Sequence, residues 1–411
     1  MPMAPDIGYA SRAAPMPPDR ALADVPAFDL FTEGWFLGVE GALGRLRLDR
    51  LALWQKTALF LAVVWAPLVL TAGTQTLLQE RSRSALFFKD ESVYVRFLIC
   101  LPILLYAQNK ISNRLRWIVE HFVRAGLVTK AEREHFIDNI NSAMRLRYSV
   151  VSDWLILAAA CAYSAATLFI SLRGPSPAAW ESLGPAGQRT LSFAGWWLIA
   201  VSQPIYAFVV LRLVYRMGLW WRFLWQTAQL HLQLDAAHPD LAGGLGFLGL
   251  TLHFFKEAAF ALSASVAAGL AHLVMTTGAR VSSFKVEILA AVIILLALFA
   301  GPLIFFYRRL RLERLKGALE YGELWQRQRR QFDHKWLRSF PEESDLLSIP
   351  DFSEATDLSQ ILERVHQIKL VPCRRMQILD LTIYILAPFA VVIALQYPIE
   401  QILKELLKMA L

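Results

Sequence analysis

The sequence predicts an all-α polytopic membrane protein with about seven transmembrane helices and long cytoplasmic helical extensions. Of its 411 residues, 56% are hydrophobic and only 18% are charged, whereas about a quarter of the residues are charged in a soluble domain. The apolar residues fall into blocks of roughly 16 to 24, the length that crosses a bilayer as a helix. Basic residues gather between the blocks and give a net charge of +8. In a membrane protein such residues hold loops in the cytoplasm and do not indicate nucleic-acid binding.

Two segments precede the first apolar block. Residues 1–28 are rich in proline and alanine. This composition predicts a disordered tail, and the lack of an apolar stretch argues against a secretory signal peptide. Residues 29–56 carry aromatic and leucine residues at mixed helical spacing, which predicts an amphipathic segment along the membrane surface.

The apolar blocks are the predicted spans. Spans one to four lie within residues 57–217, spans five and six within 258–307, and the last span with the carboxyl terminus within 379–411. The individual blocks are 57–77, 93–108, 150–172, 191–214, 258–277, 288–307 and 379–398. The second block is the weakest, because it is short and carries Arg96 near its edge, where the side chain can reach the headgroups.

The distribution of lysine and arginine predicts the orientation. Residues 109–149 carry eight basic residues and residues 308–375 carry fourteen, whereas the loops at 173–190 and 278–287 carry two each. Because basic loops stay in the cytoplasm, we expect the amino terminus inside, the carboxyl terminus outside, and the protein in the plasma (inner) membrane. If the second block did not cross, everything before span three would invert.

Three long cytoplasmic segments carry most of the polar residues, and residues 109–149 are the first of them. Residues 218–257 predict a helix, a break and a second helix that leads into span five. Residues 308–378 predict a charged helix that continues span six, then a loop with prolines and acidic residues, then an amphipathic helix. Pro372 should mark a bend between the cytoplasmic part and the last span.

The stretch "HPDLAGGLGFLG", residues 238–249, contains the pattern G-x-G-x-x-G. A dinucleotide site requires that pattern directly after a β-strand, but here an amphipathic helix precedes it and a membrane helix follows. We interpret the stretch as a structural joint, in which the His-Pro-Asp triplet begins a new helix and glycines at every third position form a bare stripe against a neighbour. A flexible re-entrant loop is the alternative. The joint comprises His238, Pro239, Asp240, Gly243, Gly244, Gly246 and Gly249.

Three polar residues around this point are the candidate metal ligands. His231, Asp235 and His238 would share one face of a helix at i, i+4 and i+7, where imidazole and carboxylate groups suit zinc or a similar divalent ion. Asp240 is a candidate fourth ligand. The alternative is that these side chains make only solvated hydrogen bonds or an ion pair. No other cofactor is expected, and the three cysteines are too few for a disulfide framework.

Polar residues in the last span are the candidate pore-lining residues, because such groups are costly in hydrocarbon. They are Asp380, Thr382, Tyr384 and Gln396. The alternative is that they are interfacial anchors. Prolines and a glycine inside the spans are candidate hinges, although membrane helices widely tolerate such breaks. The hinge candidates are Pro204, Gly301, Pro302 and Pro388.

The topology resembles that of the insect olfactory and gustatory receptors, a family of ligand-gated cation channels. The shared features are seven spans, short outer loops, inner extensions of spans four to seven, and a short last span after a cytoplasmic helix. Gustatory members carry a Thr-Tyr pair and then Gln-Phe in the last span. Here Ile383 separates Thr382 from Tyr384, and Gln396-Tyr397 lies further along. The resemblance implies a tetramer with a central cytoplasmic anchor and a pore lined by the last span.

The leading hypothesis is therefore an oligomeric membrane ion channel whose cytoplasmic helices form the subunit contact. One alternative is a pore-less receptor or signalling scaffold with a small-molecule ligand. Another is a secondary transporter that uses Asp153, Gln203 or His272. No nucleophile-base-acid set stands out, so no enzyme is predicted. The expected partners are the lipid bilayer and further copies of the chain, without nucleic acid.

Overall fold

The computed structural model describes residues 24–31, 53–78, 90–173, 182–183, 190–338 and 350–396, and most of these residues are helical. A π-helical stretch, Val95–Cys100, connects the helix Glu91–Tyr94 to the helix Leu101–Arg124, so that the two form one continuous helix. The helices of the first half are α1 (Leu53–Val64), α2 (Ala66–Leu78), α3 (Glu91–Tyr94), α4 (Leu101–Arg124), α5 (Arg133–Arg147) and α6 (Val150–Arg173).

The second half begins with two short antiparallel strands, β1 (Ser182–Leu183) and β2 (Thr190–Leu191). Its helices are α7 (Phe193–Trp197), α8 (Gln203–Gln229), α9 (Leu250–Thr277), α10 (Lys285–Ala300), α11 (Tyr307–Phe332), α12 (Pro350–His366) and α13 (Arg375–Gln396). Short stretches of other helix types lie between these helices. Leu198–Ser202 joins α7 to α8, and Gly246–Gly249 leads into α9. Val281–Phe284 precedes α10, Gly301–Phe306 joins α10 to α11, and Asp333–Arg338 follows α11.

Six helices in the described ranges are long and apolar enough to cross a membrane, which confirms the all-α polytopic fold class. The predicted second span belongs to a helix of 34 residues, Glu91–Arg124, and is not short. The first predicted span differs from the others, because α1 and α2 are two shorter helices separated at Trp65.

Hydrogen bonds from the α7–α8 region stabilise the break between α1 and α2. Pro67 has no N–H group, so the carbonyl of Val63 lacks its helical donor. The indole Nε1 of Trp197 donates to that carbonyl at 3.2 Å, and the hydroxyl of Ser202 donates to the next carbonyl, that of Val64, at 2.7 Å. Because hydrocarbon offers no water to a free carbonyl, these bonds allow the first apolar region to bend.

A second tryptophan of the same helical run acts in the same way at Pro302. The proline leaves the carbonyl of Leu298 without its helical donor, and Nε1 of Trp221 donates to it at 2.8 Å. The indole lies against Gly301, where an added Cβ would be 2.7 Å from two ring atoms. Two of the hinge candidates therefore work together: the proline frees a carbonyl, and the glycine admits the ring that binds it.

We expect Gly301→Ala to destabilise the protein in detergent by about 2–4 kcal/mol, because the added methyl group displaces Trp221 and leaves the Leu298 carbonyl unpaired. Thermal melting measures the effect. Gly218→Ala, on α8, is the matched control, because an added Cβ there meets nothing within 4 Å. Equal melting temperatures for the two variants would contradict this role of Gly301.

The last span, α13, runs parallel to α9 and buries one face against it. At the start of the two helices, Gly249 lies against the side chain of Gln377. One to two turns later, Lys256 of α9 lies over the ring of Tyr384 of α13. The buried side chains of α13 recur at helical spacing and are Leu381, Ile385, Phe389 and Val392. Pro388 lies on this buried face, and Pro204 is at the second position of α8, directly after the π-helical stretch. No break in α13 accompanies Pro388.

Three side chains of residues 24–31 belong to the core, those of Phe28, Leu30 and Phe31, which corrects the predicted disordered tail at its carboxyl end. The Phe28 side chain is 1% exposed, and its ring centroid lies 4.8 Å from that of Phe223 on α8. The N–H of Phe31 donates to Ser112 Oγ at 3.3 Å, and its carbonyl accepts from the buried Arg216 at 2.8 Å. Residues 1–23 and 32–52, which include most of the predicted interfacial segment, lie outside the described residues.

Candidate functional site

The candidate site lies at the basic end of the bundle, the end that carries the helix termini Arg124, Gln229, Leu250, Tyr307 and Arg375. There the chain leaves α8 and forms a loop, residues 230–245, before the turn that begins α9. The predicted helix through this segment is wrong. After α8 the chain turns toward the α4–α5 connection, where Leu232 forms a β-bridge with Val128 and the N–H of Gln233 donates to the Leu127 carbonyl at 2.8 Å.

The carboxylate of Asp240 organises the loop. Its Oδ1 accepts from the N–H groups of Ala242 at 2.8 Å and Gly244 at 3.2 Å, and its Oδ2 accepts from Gly246 at 2.8 Å. Nδ1 of His238 lies 2.8 Å from Oδ1. Converging backbone N–H groups form an anion-binding concavity, and here the anion is a side chain of the loop itself. The glycine-rich segment does bind an anion through this set of backbone N–H groups, which we call the cradle. The anion is the Asp240 carboxylate, so these N–H groups are not free to hold a phosphate.

Backbone conformation explains why glycines are needed in this cradle. Gly243 and Gly244 have φ values of 63° and 91°, and Leu241 between Asp240 and the glycines has 57°. Residues with side chains rarely adopt such values. The interpretation of the joint as a helix begun by His-Pro-Asp is therefore wrong: His238 and Pro239 lie in turns, and the helical backbone starts only at Gly246.

The hydrogen bonds of the cradle also set the charge of Asp240. Burial raises the pKa of this carboxyl, but the backbone hydrogen bonds from Gly246, Ala242 and Gly244 outweigh burial, so that the pKa lies below its usual range. Asp240 is therefore ionised at neutral pH, which strengthens each hydrogen bond it accepts.

The three glycines that were predicted to form a bare stripe contact other parts of the same chain. Gly243 lies against Leu310, Gly246 against Asp240, and Gly249 against Gln377, while the adjacent Gly244 lies against Leu127. On the other side of the loop, the N–H of Lys369 donates to the Leu241 carbonyl at 2.8 Å. The loop thus joins the α4–α5 connection, the start of α11 and the segment before α13.

The candidate metal ligands do not converge. His231 is 84% exposed and its Nδ1 lies 2.7 Å from Glu132 Oε1, and the hydrogen bond from His231 lowers the pKa of Glu132. Asp235 accepts the N–H of Ala237, and His238 pairs with Asp240. No group of three metal-ligating side chains occurs in the described ranges. The prediction fails because the helix that would have aligned these residues does not form.

A cluster of charged side chains lies between α9 and α13, within the first two turns of each helix after the loop. Oδ2 of Asp380 is 3.7 Å from Nδ1 of His253 and 3.7 Å from Nζ of Lys256. The same Nζ lies 4.5 Å from the ring centroid of Tyr384. A single lysine of α9 therefore contacts two residues that one turn of α13 places side by side.

The neighbouring residue of α9 extends this cluster to α4. Glu257 forms an ion pair with Lys110, and both side chains are mostly buried. Oε2 of Glu257 is buried without a hydrogen-bond partner among the described residues. Buried polar atoms of this kind call for a bound water or ion. The cluster therefore combines two balanced ion pairs with unused hydrogen-bonding capacity inside the bundle.

Two of the four pore-lining candidates are members of the cluster, Asp380 and Tyr384. Thr382 lies on another side of α13, and its hydroxyl donates to the Ile378 carbonyl of its own helix at 2.8 Å. Gln396 is the last residue of α13, and its side chain lies outside the described part. The four candidates therefore do not form one polar stripe.

The three transporter candidates are separated from this cluster and from each other. Asp153 on α6 lies 3.8 Å from Arg212 on α8, at the basic end. His272 lies 3.4 Å from Asp90 at the opposite end. Gln203 begins α8. These positions do not assemble a common substrate site.

Sequence reasoning missed four members of the cluster: Lys110, His253, Lys256 and Glu257. A signal was present, because Lys110 directly follows the second apolar block and Lys256-Glu257 directly precede the fifth. Charges at the same ends of two spans share a depth in the bilayer and can pair. Comparison with known families, with characterised proteins and with solved structures finds no match to this chain. The arrangement places carboxylates and amines at one depth in a helical bundle.

Proposed function

We propose that the protein is an oligomeric ion channel of the plasma (inner) membrane, with α11 forming the subunit contact and the uncovered face of α13 lining the pathway. The observation that carries the proposal is a stripe of exposed leucines on α11. Leu312, Leu315 and Leu319 are 60%, 53% and 71% exposed, on a helix that is rich in charged residues. Spacings of three and four residues form a continuous seam on a helix, and exposed apolar surface in water favours association.

The seam on α11 is connected to α13 through α12. α11 packs against α12, where Gly317 lies against Val365, and α12 leads through a few residues into α13. The exposed face of α13 is apolar and includes Leu379, Ile383, Leu386 and Val391. An assembly that buries the α11 seam would bring one copy of this face from each subunit toward a shared axis. The resemblance to the insect receptors favours four copies.

Asp380 lies at the edge of that face and at the basic end, and its side chain is 44% exposed. The positive-inside rule places this end in the cytoplasm. A ring of one carboxylate from each subunit at the inner mouth of a pore favours cations. His253 and Lys256 each lie 3.7 Å from this carboxylate, so the charged cluster would hold it in position.

Bilayer recording tests the proposal. The reconstituted protein should conduct ions, and Asp380→Asn should lower the cation-to-anion permeability ratio, because the ring loses its negative charge. Asp357→Asn, on the exposed surface of α12, makes the same change away from the pathway and should leave the ratio unchanged.

Three results would contradict this function. One is the absence of current under changes of voltage, pH and ligand. Another is solute counterflow without single-channel steps, which would favour the transporter alternative. The third is equal selectivity in wild type and Asp380→Asn.

A further inference from the structure

A cleft opens at the basic end between the carboxyl end of α8 and the start of α11. Its volume is about 680 Å³, within the range of small-molecule sites. Along one wall the lining changes from apolar to basic within a few residues, from Ile304 and Phe305 to Arg308 and Arg309. Trp225 of α8 lines the facing wall.

The two arginines differ in what they bind. Nε of Arg309 donates to the Ala228 carbonyl at 3.1 Å, and its Nη2 donates to the Gln229 carbonyl at 2.7 Å, which caps the end of α8. Arg308 is exposed and has no hydrogen bond or ion pair within the described part of the chain. Arg309 therefore fixes the wall of the cleft, while the Arg308 guanidinium is available to a ligand.

The cleft lies where the apolar run of span six ends and the basic residues begin. Trp225 is 50% exposed and Ile304 is 60% exposed, so the apolar part of the lining is open to the surroundings. Tyr307 lies between the apolar and basic residues. Tryptophan and tyrosine at such a transition mark the headgroup level of a bilayer. A ligand that fills this cleft must be apolar at one end and anionic at the other.

We propose that the cleft binds one anionic phospholipid from the leaflet at the basic end. The headgroup phosphate would lie at Arg308, and an acyl chain would follow Ile304, Phe305 and Trp225. Basic pockets between membrane helices at the cytoplasmic surface have the chemistry to hold such headgroups. This site is separate from the proposed pathway on α13, although its lining includes Leu312 of the α11 seam. Lipid binding is measured without current, so either proposal can fail while the other holds.

Native mass spectrometry of the full chain, with added phosphatidylglycerol or phosphatidylcholine, tests the proposal. Wild type should retain one phosphatidylglycerol more tightly than phosphatidylcholine. Arg308→Glu should weaken that binding by about tenfold or more, because an attraction becomes a repulsion. The matched control is Arg311→Glu, since Arg311 is exposed on the same helix but does not line the cleft. Arg308→Lys, which keeps the charge, should retain most of the affinity.

Several results would overturn the proposal. Equal losses in Arg308→Glu and Arg311→Glu would indicate general surface charge and no site. Competition by millimolar inorganic phosphate as effective as that by the lipid would assign the cleft to a free anion. Lower subunit association in Arg308→Glu with unchanged lipid binding would mean that a second copy of the chain covers the cleft. Because Arg308 has no partner among the described residues, the melting temperature of Arg308→Glu should match that of wild type, and this separates loss of lipid from loss of fold.

Discussion

Asp240→Ala is expected to destabilise the protein more than any other single change in the loop between α8 and α9. The substitution removes the acceptor of three backbone N–H groups, those of Ala242, Gly244 and Gly246. These partly buried donors lose a charged acceptor, which costs about 3–4 kcal/mol in total. We expect a melting temperature lower by roughly 5 °C or more in detergent.

Two variants make this experiment specific. Asp240→Asn keeps one oxygen but places an NH₂ group near a backbone N–H, so its melting temperature should lie between those of wild type and Asp240→Ala. Asp235→Ala removes a carboxylate of the same loop that accepts one N–H, from Ala237 at an exposed position, and should cost about 1 kcal/mol or less. If Asp240→Ala and Asp235→Ala melted alike, the cradle would not be what holds the loop.

The contribution of Asp240 should also depend on pH in one direction. Its pKa is lower in the folded protein than in the unfolded chain, where an aspartate titrates at about 3.9. The stabilisation is therefore fully present above the unfolded pKa and is lost as pH falls through the folded pKa. The difference in melting temperature between wild type and Asp240→Ala should be constant near neutral pH and should shrink below about pH 4.

The helices were predictable from the sequence because their signal is local. An apolar block of sufficient length forms a membrane helix whatever surrounds it, and the predicted spans coincide with helices in the described ranges. The extensions beyond the spans were also predictable, since charged residues with recurring leucines continue the helical period. Residues 307–332 are the clearest example, forming a single helix, α11.

The loop was not predictable, because its conformation depends on contacts between distant segments. His231, Asp235 and His238 have helical spacing, yet the segment pairs with Val128 and closes on Asp240. Positive φ values at consecutive glycines and the reach of one carboxylate are not encoded in any periodicity. The sequence did indicate that glycines were required there, but the correct reason was an anion cradle and not a bare helical face.

The charged cluster was only half visible for the same reason. Asp380 stood out because it lies in an apolar block, whereas Lys110 and Glu257 lie just outside such blocks and are 147 positions apart. Phe28 gave even less signal, since the proline- and alanine-rich composition around it is typical of a disordered tail. Only the aromatic pair Phe28 and Phe31, spaced by three residues, indicated that this segment could be buried.

A cysteine in place of Ile383 on α13, a position that faces away from α9, is expected to make the ionic current sensitive to a charged thiol reagent. Ile383 is 56% exposed, whereas Ile385 is completely buried against the bundle. If the uncovered face lines a water-filled pathway, a cysteine at Ile383 forms a thiolate that a charged methanethiosulfonate can reach and modify. The added charge would then lie inside the pathway and block most of the current. A cysteine at Ile385 would remain inaccessible.

Thiol modification during bilayer recording tests the claim that the uncovered face of α13 lines an ion pathway shared between subunits. The background should replace the exposed Cys161 and the half-buried Cys373 with serine. The claim predicts that the charged reagent blocks the current of Ile383→Cys and leaves that of Ile385→Cys unchanged. An unchanged current in Ile383→Cys, together with labelling of that cysteine by a membrane-soluble apolar maleimide, would place this face in lipid and contradict the claim.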